Sequence, residues 1–174
     1  MIKGISLTMG AIAVMSLAAC QSMEQGTGQK ASASLDSRSG SNAKGTVNFV
    51  WQGHDVLVTG NFSGLKPNAE QGFHVHEKGD CSAADATSAG GHFNPDSKPH
   101  GMPGSGSNHA GDMPNIKSDA NGNAVYSTKI SGFSVNSGPT GILGKSVVVH
   151  RDPDDYKSQP AGNSGPRIAC GLIK

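Results

Sequence analysis

Apolar and polar residues alternate in short runs along this chain, and turn-forming residues separate the runs. Thr46-Val47-Asn48-Phe49-Val50-Trp51 alternates, Gln52-Gly53 marks a turn, and His54 to Gly60 runs back, which predicts a hairpin. Gly72-Phe73-His74-Val75-His76 reads as a third strand. Residues 77 to about 112 are rich in Gly, Ser, Asn, Asp and Pro and show little periodicity, so a long loop is expected there. Asn115–Ser118 and Ala124–Ile130, joined by Asp119-Ala120-Asn121-Gly122-Asn123, predict a second hairpin. Lys145–His150 and Arg167–Leu172 are two further strands. A sustained 3.6-residue period is absent after residue 19, as is any internal repeat. Short strands between turn signals point to an all-β antiparallel barrel or sandwich.

The first residues follow a different pattern. Lys3 precedes a mostly apolar stretch from Gly4 to Ala19 that ends in Leu17-Ala18-Ala19-Cys20. A charged start, a short apolar run and small residues at its end describe an export signal over residues 1–19. The run is short and interrupted for a membrane-spanning helix. Its end resembles the bacterial lipobox, in which the cysteine receives lipid and becomes the new first residue. Cys20 is therefore the expected lipidation site. Gln21 after it favours, by analogy, an outer-membrane anchor, and the periplasm is the expected compartment. Residues 20–43 are polar and small, too poor in large apolar groups to fold, and read as a flexible tether. The domain is then expected over 44–174.

Composition narrows the functional classes. The chain has 174 residues, of which 25 are glycine, a share that disfavours a helical bundle. Its formal charge is +1, and residues 20–174 carry 13 basic and 13 acidic side chains, so no nucleic-acid partner is expected. Glycine-rich phosphate cradles and aromatic–basic interleaving are also absent. Three cysteines are present, Cys20, Cys81 and Cys170. With Cys20 taken by lipid, an even pair remains in an exported chain, and a Cys81–Cys170 disulfide is expected.

The histidines carry most of the chemistry. His74 and His76 lie two apart on a predicted strand, so both rings share one face while Val75 points the other way. His92, His100 and His109 fall in the long loop, with Asp112 close behind, and His150 ends a later strand. Imidazoles on one face suit copper or zinc. Ligand bonds supply a reason for so long a loop to be ordered. His54 stands apart and reads as a surface side chain. Met102 and Met113 read as packing residues rather than metal ligands.

Five segments together resemble the copper–zinc superoxide dismutases, in particular the exported bacterial kind. They are Gly72-Phe73-His74-Val75-His76-Glu77, Ser88-Ala89-Gly90-Gly91-His92-Phe93-Asn94-Pro95, His109-Ala110-Gly111-Asp112, Val147-Val148-Val149-His150, and Gly165-Pro166-Arg167-Ile168-Ala169-Cys170-Gly171. The resemblance implies an eight-stranded Greek-key barrel with two large loops over the metals. It implies copper ligands His74, His76, His92 and His150, and zinc ligands His92, His100, His109 and Asp112, with His92 shared. It makes Asp154 the carboxylate joining His74 to His100, although Asp152 and Asp155 flank it. Arg167 is the implied anion-docking arginine, and Cys81–Cys170 the implied disulfide.

The implied activity is conversion of superoxide to oxygen and hydrogen peroxide, with copper cycling between two oxidation states and redox-inert zinc beside it. Arginine suits the docking role because it is always cationic and presents planar donors. Three other classes compete, a copper carrier without turnover, a zinc hydrolase, and a structural surface lipoprotein with an incidental barrel, the last disfavoured by the ordered histidine pattern. The full ligand set with Arg167 disfavours the first, and a zinc set with no open position disfavours the second. The segment 155–167 is short and carries little charge, so any field that guides the anion must come from elsewhere, with Lys66, Lys78 and Lys98 as candidates. A monomer and a homodimer are both compatible with this pattern.

Overall fold

The computed structural model describes residues 28–136 and 138–174, besides Met1. Apart from Met1, the proposed signal (1–19), Cys20, Gln21 and the first part of the proposed tether, through residue 27, lie outside the described residues. Among the described residues nine strands form in chain order: β1 (Lys30–Ser37), β2 (Lys44–Trp51), β3 (Val56–Ser63), β4 (Glu70–Gln71), β5 (Phe73–His76), β6 (Ile116–Lys117), β7 (Ala124–Ile130), β8 (Ser146–His150) and β9 (Arg167–Leu172). A 3-10 turn covers Thr87–Ala89. Seven strands make one antiparallel sheet in the order β5-β8-β9-β1-β2-β3-β7, and β4 pairs with β6.

The short β4–β6 ladder closes this curled sheet. β4 runs into β5 at one margin, and β6 precedes β7 at the other, so pairing Glu70 with Lys117 and Gln71 with Ile116 stitches the margins together. β4 and β5 are halves of one extended run broken at Gly72. There Gly72 N donates to Asp152 O at 2.9 Å, and His150 N donates to Gly72 O at 2.8 Å. Counted as one run, they give the eight strands expected of an antiparallel Greek-key barrel.

Two expectations need correction. Residues 30–43, read as part of a flexible tether, belong to the domain. β1 pairs with β2 from Lys30↔Val50 to Leu35↔Gly45 and with β9 at Asp36↔Cys170 and Ser37↔Ala169. Ala31, Ala33 and Leu35 alternate inward and are buried, while Ser32 and Ser34 face out. The pattern has a period of two, but two of its three apolar positions are alanines, whose small area hides the signal. The second correction concerns Asn115–Ser118 and Ala124–Ile130. Their turn forms, with Asp119 accepting from Asn121 N and Asn123 N at 2.8 Å. The flanking strands nevertheless pair elsewhere, β6 with β4 and β7 with β3. A seven-residue ladder to β3 satisfies more peptide groups than a two-residue partner offers.

The barrel interior holds Val47, Phe49, Val56, Val58, Phe62, Phe73, Val75, Tyr126, Val147 and Val149. Phe73 sits edge-on to Phe62 and Tyr126, with ring centres 5.4 and 5.1 Å apart. Each such ring contributes roughly 1.5–3 kcal/mol on burial. A second small cluster, Ala86, Ala89, Val148 and Cys170, packs outside the barrel under the loop that carries Cys81. The Cys81–Cys170 disulfide joins that loop to β9 across 89 positions.

Candidate metal centre

β5 is buried on both faces, so its alternation sends Phe73 and Val75 into the core and His74 and His76 outward under the loops. The loop segments lie along the free margin of β5. Val75 N donates to Gly111 O at 2.9 Å, Phe93 N donates to Val75 O at 2.8 Å, and Glu77 N donates to Gly91 O at 2.9 Å. His92 thereby faces His76, and Asp112 faces His74. Gly111 permits the approach, because a Cβ there would overlap Val75 O. His150 comes from the end of β8, where a register shift follows Val149.

The predicted ligands converge in two sets. One ligand atom each from His74, His76, His92 and His150 lies within 4.8 Å of the others, and the same holds for His92, His100, His109 and Asp112. All seven side chains are buried. His92 belongs to both sets.

Hydrogen bonds decide which nitrogen each ring offers. His76 Nδ1 meets Gly90 O at 3.0 Å, and His150 Nδ1 meets Gly165 O at 3.1 Å, which leaves the two Nε2 atoms facing each other at 3.4 Å. His74 Nε2 and His100 Nε2 reach the two oxygens of Asp154 at 2.8 and 2.9 Å, which turns both Nδ1 atoms inward. Asp154 Oδ1 also accepts from Tyr156 N at 2.7 Å. His74 Nδ1, His92 Nε2, His100 Nδ1 and His109 Nδ1 are buried without a hydrogen-bond partner. Unsatisfied buried nitrogens are costly. Four of them aimed into two small volumes, with His100 Nδ1 and His109 Nδ1 converging on Asp112 Oδ1 at 3.0 and 3.4 Å, are the signature of lone pairs waiting for cations. The donor sets fit copper and zinc: four imidazoles suit a borderline redox metal, and three imidazoles with one carboxylate close a tetrahedral zinc site.

The electrostatics separate the sets. Burial pushes His74 and His76 well below the usual histidine range, and repulsion from His92 and His150 adds to it. Burial likewise brings His150 down to about 4. Burial also lowers His92, against the pull of Asp112. His100 behaves in the opposite way. Burial disfavours its charged form, but the Asp112 and Asp154 carboxylates, 3.0 and 2.9 Å from Nδ1 and Nε2, outweigh that and raise it to about 9. Asp112 is held far below the usual carboxylate range, its own burial overcome by His100, His109 and His92.

Arg167 starts β9 and is tied to the same loop. Nη1 donates to Ala86 O and Nη2 to Gly90 O, both at 2.6 Å. Gly90 O therefore serves both Arg167 and His76. The three neighbouring aspartates have separate tasks. Asp152 pairs with Arg151 at 2.9 Å, Asp154 holds the two rings, and Asp155 accepts from Lys157 N, Ser158 N, Ser158 Oγ and Asn163 Nδ2. His54 is exposed beside Asp55, Met113 is buried in the core, and Met102 is exposed rather than packed. Lys98 pairs with Asp96 at 3.3 Å, which neutralises part of its charge.

Several residues gave no sequence signal. Gly162 lies against the Asp154–His100 contact, where a Cβ would overlap Asp154 Oδ1. Asn115 bonds both peptide atoms of Asp154, and Gln159 both peptide atoms of His100. Arg38, from the segment read as tether, donates from Nε to Cys81 O at 2.9 Å.

Comparison with known proteins agrees with this geometry. The family model for copper/zinc superoxide dismutase matches residues 43–173, so β1 lies outside the match. A protein of Aquifex aeolicus named superoxide dismutase [Cu-Zn] 2 is 44% identical over 134 residues, 75% of this chain and 78% of its own length. The superoxide dismutase [Cu-Zn] of Paramecium bursaria Chlorella virus 1 is 45% identical over 136 residues, 75% of this chain and 72% of its own length. The crystal structure of a SOD-like protein from Bacillus subtilis superposes with a TM-score of 0.73 at 34% identity, over 80% of this chain and 95% of that one. A barrel of this topology, two buried ligand sets sharing one histidine, and matches of this extent make the chain a member of the copper/zinc superoxide dismutase family, whose cofactors are copper and zinc.

Proposed function

We propose that this chain dismutates superoxide in the bacterial cell envelope, with His74, His76, His92 and His150 holding copper and His92, His100, His109 and Asp112 holding zinc. Copper, when bound, supplies the one-electron cycling by which two superoxide anions and two protons become dioxygen and hydrogen peroxide. His92 faces one set with Nε2 and the other, through Nδ1, meets Asp112 at 2.8 Å. Its Nε2 is the atom that holds a proton and returns it. Asp154 fixes the ring orientations of His74 and His100 together, so the two sets are built as one unit. Arg167, half-buried and steadied by two loop carbonyls, offers its cation to a small anion beside His76 and His150. The zinc set, filled by four protein ligands, is structural.

The observation that carries this assignment is the four partnerless buried nitrogens distributed over two sets that share His92. Export and lipid anchoring through Cys20, with an outer-membrane, periplasmic location, rest on the sequence of residues 1–21. The Cys81–Cys170 disulfide is in keeping with an oxidising compartment.

Metal analysis of the purified protein, with superoxide consumption measured before and after chelation, tests the reading. Two ions per chain and activity restored by copper are expected; metal-loaded protein without activity rejects it. His150→Ala should lose copper and activity while zinc stays, and Arg167→Ala should keep both metals and turn over more slowly. Full activity in either variant removes that residue's assigned role. Cys20→Ala should release the protein from the membrane fraction, and continued association there refutes the anchor.

A further inference from the structure

His100 sits in a stretch with no regular ladder to hold its backbone. Among the described residues, the only hydrogen-bond partner of its main-chain N–H and C=O is the side chain of Gln159. His100 N donates to Gln159 Oε1, and Gln159 Nε2 donates to His100 O, both at 2.9 Å. Asn115 repeats the arrangement on Asp154. Asp154 N donates to Asn115 Oδ1, and Asn115 Nδ2 donates to Asp154 O, both at 3.0 Å. A carboxamide carries a donor and an acceptor side by side, the same pair that one strand offers the next. Two bonds to one residue resist rotation as well as displacement, which a single bond does not. Between the two gripped residues runs the 2.9 Å contact from His100 Nε2 to Asp154 Oδ1.

Gln159 is itself held firmly. The Asp155 carboxylate gathers Lys157 N, Ser158 N, Ser158 Oγ and Asn163 Nδ2, at 2.6–3.1 Å, into a tight turn around it. Gly162 N donates to Ser158 O at 2.7 Å, and Asp155 N donates to Gly162 O at 2.9 Å, closing the same turn. The short segment that carries little charge for guiding an anion is thus organised to present one amide to one ligand residue.

We propose that Gln159 is a positioning residue for His100, setting the direction of its Nδ1 by clamping its peptide groups, with Asn115 doing the same for Asp154. The inference rests on the zinc assignment above. Gln159 touches no ligand atom, and its effect reaches the ion only through the backbone of His100.

The test is Gln159→Met, which keeps the length of the side chain and removes both hydrogen bonds to His100, together with the 3.3 Å bond that Nε2 donates to Lys157 O. Gln159 is exposed, so the variant should fold. Zinc affinity, read by chelator competition on the full chain, should fall roughly tenfold, the usual effect of losing an outer partner of a metal ligand. The visible spectrum of cobalt(II) placed in the zinc set should change. Copper affinity and the unfolding midpoint of the metal-free protein should stay at the parent values. A zinc loss below threefold overturns the proposal. So does a parallel fall in copper affinity and metal-free midpoint, which marks a general structural effect. His100→Ala in the same assay separates the two levels. If that variant keeps parental zinc affinity, the zinc assignment itself fails and the clamp fails with it. If it loses zinc while Gln159→Met does not, only the clamp fails.

Discussion

Removing the Cys81–Cys170 disulfide should cost this domain a large part of its stability and should also slow it as an enzyme. The bond closes a loop of 89 positions between a surface loop and β9. In the chain-entropy model that closure is worth roughly 4.6 kcal/mol at 25 °C. Domains of this size are stable by about 5–15 kcal/mol, so the loss is a third or more of the total. The assay is urea unfolding of the metal-free protein, comparing parent, reduced parent and the Cys81→Ala/Cys170→Ala double variant. With a urea slope of about 2 kcal/mol/M, the midpoint should drop by roughly 2 M. Reduced parent and double variant should agree, because the small cluster of Ala86, Ala89, Val148 and Cys170 loses little when only sulfur is removed. The second effect is local. The loop that begins at Cys81 carries the carbonyls of Ala86 and Gly90 that steady Arg167. Freed from β9, that loop should let the guanidinium wander, lowering turnover with both metals still bound. A stability loss below about 1 kcal/mol would refute the closure argument, and parental turnover in the reduced, folded, metal-loaded protein would refute the link to Arg167.

Three further expectations concern other parts of the molecule. Leu35→Ala should destabilise the domain by about 2–5 kcal/mol, since Leu35 is 2% exposed in β1; an effect near zero would return residues 30–37 to the tether. Gly162→Ala should weaken zinc binding at least about tenfold, because the added methyl overlaps Asp154 Oδ1 at a φ of +63°, and unchanged affinity in chelator competition would show that the contact tolerates crowding. The metal-free protein should be most stable near pH 6.5. Below that value the unfolded chain binds protons that buried His150, lowered to about 4, refuses. Above it His100, raised to about 9, keeps a proton that the unfolded chain releases, so that contribution fades as pH climbs through 9. Urea midpoints at pH 4.5, 6.5 and 9.5 check both limbs, and a monotonic trend would contradict the opposite shifts of the two groups.

The elements most legible in the sequence were those with large alternating side chains. Val47 and Phe49 in β2 and Val56 and Val58 in β3 announce their faces plainly. β1 hid because Ala31 and Ala33 bury little area, although their spacing is as regular. Pairing partners were harder than strand positions. The turn after β6 was readable from Asp119 and Gly122, but which strands β6 and β7 join depends on barrel closure, which is a property of the whole sheet. Residue identity picked out the ligand types because few side chains bind metals. It could not separate Asp152, Asp154 and Asp155, which differ only in where a short turn aims them. Asn115 and Gln159 left no trace at all, since an amide that grips a backbone looks like any polar residue in a loop.

The segments bearing His92 and Asp112 also act as a guard rail. By occupying the peptide groups of Val75 and Glu77, they deny the outermost strand of the sheet to any passing chain. Demetallated molecules that let this guard swing away would present a bare template to one another. Self-association should therefore be second order in protein, begin at β5, and be suppressed by whatever keeps the imidazoles occupied.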